Sequence, residues 1–413
     1  RAVVTGPVQS LRECLARAGV AAGAPLGIAV SGGSDSLALL HLALDVGYDV
    51  SAVTVDHGLR VEAAAEARVV AEHCRELGVP HRVLRWQRTV TTGNLQDQAR
   101  RARYDLLRDW ARDAGLVHVA LGHTADDQAE TILMRMARGS GLDGLSGMVE
   151  RGDDGAVTWL RPLLGVERSA LRRFLEDRGV SWIDDPSNED ARFDRIKARR
   201  ALAALAPLGL DARKFGTMAA NLSAVRRDLD LRARAAFEAA GQEESGDLVF
   251  RFPEFRRAAL GPEVLRRSFV AALRWVSGAD YPPRADALAE LIAALRTGET
   301  RTLHGCLVSS GKTVRFAREF NAVRNVVGLT DAPWDGRWVL TGPHDPELEI
   351  RALGSSIAET PWRETGLPRA SVLASPAVFR GETLIAAPVA GLANGWTAEA
   401  TGRGNFGEFL FWR

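Results

Sequence analysis

The chain has 413 residues, 46% of them hydrophobic and 25% charged, and its 53 basic and 52 acidic residues leave a formal net charge of +1. That length predicts two or three domains with sizeable cores. The near-zero charge excludes a protein that is basic throughout, so any nucleic-acid surface must be local, and no stretch is apolar for long enough to span a membrane.

Three distant cysteines, Cys14, Cys74 and Cys306, form neither a CxxC pair nor a zinc spacing, which fits a reducing, cytoplasmic setting. The sequence begins at Arg1 with no signal-peptide pattern, so a trimmed start is expected.

In chain order, an apolar run at 26–30 meets Ser31-Gly32-Gly33-Ser34-Asp35-Ser36, after which Leu37, Leu40, His41 and Leu44 recur at helical spacing. A strand that turns through two glycines into a helix lets the backbone approach a ligand closely, and the helix start offers free N–H groups and a positive dipole end. The serine hydroxyls suit phosphate oxygens. Asp35 beside phosphates requires a cation between them, which points to Mg²⁺. The plainer alternative is a ligand-free turn with Ser34 as the helix cap.

Strand-like and helical patterns then alternate: a strand over 49–58, a helix over 62–78, a strand over 81–86, a long helix over 94–115 and a strand over 116–123. A further helix follows, with Thr124 and Asp127 at capping-box spacing. Such alternation predicts an α/β fold with a doubly wound parallel sheet, in which ligands lie beyond the carboxyl ends of the strands. The loops at 31–36, 56–60 and 123–127 then face one crevice.

At the second of these helix starts, His123, Asp126, Asp127 and Glu130 are polar groups on an otherwise apolar helix, with Asp126 and Glu130 on one face. They read either as ordinary helix-start acids or as a carboxylate pair for an ammonium group or Mg²⁺. The segment 138–147, RGSGLDGLSG, has the texture of a phosphate loop or a lid but lacks the Walker lysine. A basic run follows at Arg192, Arg195, Lys197, Arg199 and Arg200. The pattern is helical from about 198 to 297 and turns to short β-like runs with Gly and Pro from about 301. The expected domains are therefore 1–200, the α/β unit with the crevice; 201–300, helical; and 301–413, a small β-containing region.

Together these motifs resemble the tRNA(Ile)-lysidine synthetase family of PP-loop ATP pyrophosphatases. The resemblance rests on SGGSDS (31–36), VDHGLR (55–60), GNLQDQARRARYDLL (93–107), GHTADDQAETILMRMARGSGLDGLSGM (122–148), RPLL (161–164) and DPSNEDARFDR (185–195), and covers roughly residues 25–200. One departure is Ile196-Lys197-Ala198-Arg199, where the family has Asn and then an Ile/Leu-Arg pair.

The resemblance implies a Rossmann-like PP-loop domain that adenylates O2 of the wobble cytidine in the CAU anticodon of tRNA(Ile), after which free L-lysine displaces AMP. It implies ATP held by Ser31, Gly32, Gly33, Ser34, Asp35 and Ser36, Mg²⁺ on Asp35, and lysine on His123, Asp126 and Asp127, with Asp35, His123 and Asp127 as the catalytic set. Arg192, Arg195, Arg199 and Arg200 are expected to contact tRNA or phosphate, and a homodimer is compatible with the resemblance. The rival readings are another PP-loop enzyme, such as a tRNA thiolase, which the cysteine spacing disfavours, and a non-catalytic nucleotide- or RNA-binding relative.

Overall fold

The computed structural model describes residues 6–58, 63–86, 95–184, 194–259, 261–401 and 404–410. The chain forms two compact units, one up to Arg226 and one from Arg227 on.

The first unit contains, in order, α1 (Pro7–Arg17), β1 (Pro25–Ala29), α2 (Ser34–Val46), β2 (Asp49–Asp56), α3 (Ala63–Glu76), β3 (His81–Arg85), α4 (Leu95–Asp113), β4 (His118–Leu121), α5 (Ala125–Ala137), α6 (Leu142–Leu145), β5 (Arg151–Asp153), β6 (Thr158–Leu160), α7 (Arg168–Glu176) and α8 (Asp194–Leu205). The long helix α9 (Ala212–Ala240) begins there. The sheet order is β3-β2-β1-β4-β6-β5, parallel except for the β5–β6 pair at one edge.

Alternate residues of the strands feed two cores. Leu26, Ile28, Val50 and Ala52 pack with Leu11, Leu40, Val70 and Leu171 of α1, α2, α3 and α7. Ala29, Val53, Val119 and Leu121 pack with Leu107 and Trp110 of α4. Both faces are therefore covered, as parallel strands with no polar face require. Each fully buried leucine contributes about 1.5–3 kcal/mol.

The chain leaves β1 toward β2 and β3 on one side and returns to β4 on the other. The switch point, and the crevice it opens, thus lies at the carboxyl ends of β1 and β4. The loops SGGSDS and GHTADD follow these two strands.

The second unit carries an antiparallel sheet in which β8 (Asp247–Arg251) pairs with β7 (Gly241–Glu244) and with the strand Thr313–Arg318. Phe250, Phe255, Phe269 and Phe316 fill the core between this sheet and helices α10 (Phe252–Ala258), α11 (Pro262–Ser277) and α12 (Ala285–Arg296). Two smaller sheets complete it.

The compact units therefore divide neither at residue 200 nor at residue 300. The stretch expected to be wholly helical contains the β7–β8 hairpin, which pairs into the same sheet as strands beyond residue 300 and so joins the two expected domains. Among the described residues no helix is long and apolar enough to cross a membrane.

Candidate active site

The SGGSDS turn is built to leave a helix start open. Gly32 has φ +87°, and a side chain there would meet Ile183 Cδ1 at 2.8 Å, so the position demands glycine. Gly33 caps α2 without any side-chain hydrogen bond. Ser34 is thus the first helical residue and not the cap. Ser36 turns inward: its hydroxyl accepts from the Ser31 N–H at 3.1 Å and donates to the Gly33 carbonyl at 3.0 Å, bracing the turn from within. Ser34 donates to Asp35 at 3.2 Å.

The start of α5 is the opposite case. Thr124 and Asp127 form the expected capping box: the Thr124 N–H donates to Asp127 at 2.9 Å, and the Asp127 N–H donates to the Thr124 hydroxyl at 3.3 Å. The small face of α5, Ala125, Ala129 and Ile132, packs on Ala212, Phe215 and Ala219 of α9. That packing leaves Asp126, Asp127 and Glu130 on the other faces of the helix.

Arg168, the first residue of α7, ties the two loops together. Its Nε donates to Asp35 at 2.8 Å and its Nη2 to Asp127 at 3.2 Å, and Nη1 lies 3.9 Å from Glu130. Its backbone N–H donates to Asp126 at 2.8 Å. Asp126 therefore anchors α7 in this structure. Arg199 on α8 donates to Glu130 at 2.9 Å, and Arg195 lies 3.8 Å from the other Glu130 oxygen.

The acids in this cluster are pushed apart. Burial raises the Asp35 carboxyl against the pull of Arg168, and it raises Glu130 against Arg199. For Asp127 burial acts in the same sense, but Arg168, Arg195 and the Thr124 amide outweigh it and hold the carboxyl below the usual range. His123 is pushed down to about 3, first by burial and then by Arg161, Arg103 and Arg195, so its ring is neutral at physiological pH. Arg168 is held above its ordinary value: burial lowers it, and Asp35 and Asp127 more than reverse that. Two buried atoms of this cluster, His123 Nδ1 and Glu130 Oε2, have no hydrogen-bond partner among the described residues.

Beside the turn lies a cavity of about 400 Å³ lined by Val30, Ser31, Gly33, Asp56, His57 and Arg103 among others. Arg103 has no ion-pair partner among the described residues, and burial lowers its pKa. A guanidinium lining such a cavity is suited to an anion.

The structure thus gathers Ser31 to Ser36, Asp35, Asp126, Asp127, Arg195 and Arg199 around one crevice, with His123 just ahead of the α5 acids. Arg200 is exposed on α8, and Arg192 lies outside the described residues, as does the DPSN turn. The departure at Ile196–Arg199 has a simple outcome: Ile196 and Ala198 are buried, and Arg199 reaches Glu130. The segment 138–147 is pinned down, because Arg135 donates to the carbonyls of Gly144 and Gly147, each at 2.9 Å. The sequence reading did not single out Arg103 or Arg168, and it gave Glu130 no role of its own.

Asp35 meets a simple test of donor chemistry. Among the described residues no three His, Cys, Asp or Glu side chains cluster as a metal site. A carboxylate beside a glycine-rich turn fits Mg²⁺, which takes its other ligands from phosphates and water.

The PP-loop domain model matches residues 9–206. With the switch-point crevice and the open α2 start, this defines an ATP-using PP-loop enzyme. A tRNA(Ile)-lysidine synthase from Ruegeria pomeroyi is 48% identical over 381 residues, covering 91% of this chain and 90% of that protein. One from Zymomonas mobilis is 39% identical over 297 residues, covering 71% of this chain and 88% of that protein. The chain belongs to the tRNA(Ile)-lysidine synthase family.

Proposed function

We propose that this chain joins free L-lysine to the wobble cytidine of the CAU-anticodon tRNA(Ile), at the cost of ATP, in the cytoplasm. The observation that carries the residue roles is the meeting of an uncapped helix start and an acid cluster at one switch point.

ATP phosphates bind the N–H groups and hydroxyls of 31–36, with the nucleoside toward the cavity beside Val30 and Asp56 and with Arg103 facing the phosphates. Asp35 would hold Mg²⁺, which when bound spreads the charge on the departing pyrophosphate. Cytidine O2 attacks the α-phosphorus as the bond to the β-phosphate oxygen breaks, giving an O-adenylated base and pyrophosphate. The lysine ε-amine then attacks C2, and the C2–O bond breaks to release AMP.

The amine must lose protons for this step. Asp127, held as an anion, orients the ammonium group. Glu130, whose pKa is raised and whose Oε2 has no hydrogen-bond partner among the described residues, accepts a proton. Neutral His123, whose Nδ1 has no hydrogen-bond partner among the described residues, accepts a hydrogen bond from the amine. Exposed basic residues of α8 and α9, Arg200, Arg213 and Lys214 among them, hold the tRNA backbone. The base itself must be splayed from its loop to reach the crevice.

The test is lysine incorporation. Purified protein is mixed with ATP, Mg²⁺, radiolabelled lysine and an unmodified tRNA(Ile) transcript bearing CAU. Label that requires ATP and the wobble cytidine, and disappears in Asp35→Ala, is expected. Pyrophosphate released with another RNA or amine and no label on this tRNA would overturn the substrate assignment.

A further inference from the structure

Arg168 stands where a substrate cation belongs. The acids it touches come from two loops: Asp35 follows β1, and Asp127 and Glu130 follow β4. All its side-chain partners among the described residues are carboxylates. Its backbone is fixed by the hydrogen bond to Asp126, whereas the side chain keeps 21% of its surface exposed and sits at the crevice edge. A basic residue in the first turn also opposes the helix dipole, so α7 gains nothing locally from it.

We propose that Arg168 is a positioning residue: an internal counterion that holds Asp35 and Asp127 and competes with the substrate ammonium for Asp127 and Glu130. This rests on the reading above that these two acids receive lysine. Without such a counterion, three partly or fully buried carboxylates would stand together, Asp35 with no cation beside it and Asp127 and Glu130 left to Arg195 and Arg199. With it, binding exchanges one cation for another. A ligand that brings an ammonium group to this point displaces the guanidinium, and an isosteric ligand without that charge leaves it seated. Arg168 therefore weakens lysine binding and sets a charge requirement for the amine end.

The test is calorimetric titration of L-lysine, and separately of L-norleucine, into the full chain in the presence of a non-hydrolysable ATP analogue, for wild type, Arg168→Gln and Arg168→Lys. The expected result is lysine binding at least about threefold tighter in Arg168→Gln with norleucine affinity unchanged, and a smaller gain in Arg168→Lys, which keeps the charge but loses the fork. A merely structural role predicts weaker binding of both ligands and of the nucleotide analogue, and this outcome in both variants would overturn the inference. Unchanged or weaker lysine binding with nucleotide affinity intact would overturn it too. A wild type that binds nucleotide but no lysine would sink the lysine reading, and the Arg168 role with it.

Discussion

Gly122 presses its α-carbon against the backbone of Asp35: a Cβ at residue 122 would lie 3.0 Å from the Asp35 carbonyl oxygen and 3.0 Å from Ser36 Cα. Both neighbours are main chain at the mouth of the SGGSDS turn, so neither can rotate away. The residue after β4 and the first turn of α2 are packed here without any side chain between them.

Gly122→Ala is therefore expected to act on activity more than on stability. Overpacking costs about 1–3 kcal/mol, whereas an ångström-scale shift of the turn costs about 10²-fold in turnover. Thermal unfolding and lysine incorporation measured on the same preparation check this. Normal turnover with normal stability would mean that the two loops tolerate separation.

Glu130→Gln keeps the shape and the hydrogen bond to Arg199 but removes the proposed proton acceptor. Turnover is expected to fall about 10²–10⁴-fold, while the adenylation half-reaction, followed by ATP–pyrophosphate exchange in the presence of tRNA, continues. Loss of exchange as well would assign Glu130 to the first step.

Arg199 and Arg200 are neighbours on α8 with different surroundings, one bonded to Glu130 and the other exposed. Arg199→Ala is expected to lower kcat. Arg200→Ala is expected to raise KM for tRNA and to reduce the salt slope of tRNA binding by about 1. Identical profiles for the two variants would contradict this division.

His123 predicts an acid sensitivity. The folded ring is pushed down to about 3 from an ordinary value of 6.5, burial being the largest cause. The unfolded chain takes up this proton first as pH falls, so stability is intact above 6.5 and declines progressively from there toward 3. In urea denaturation between about pH 7.5 and about pH 5, His123→Gln should lose less stability than wild type. Parallel losses would show that the ring is not buried in its neutral form.

Much of the catalytic unit was legible because its signals are local. β1, β2 and β4 are short buried apolar runs that end in polar loops, and the capping box of α5 is written in Thr124 and Asp127. What escaped was short or distant. β6 is three residues, Thr158 to Leu160, too few for any period to show. The β7–β8 hairpin sat inside a helical texture, and its signal was Ser245-Gly246, both at positive φ, followed by Leu248-Val249-Phe250. Arg168 lies 133 residues from Asp35, and nothing in linear spacing reports that they meet. The one local sign was a basic residue at a helix start, where the dipole disfavours it.

The Asp126 carboxylate, which accepts the Arg168 amide, is a seam between the two chain segments that make the site. Because that seam fastens the first turn of α5 to the first turn of α7, a library that randomises the acids to recruit a different amine would also unfasten a helix. Engineering of the enzyme's selectivity should therefore leave residue 126 alone and begin at side chains that carry neither this helix joint nor the proton.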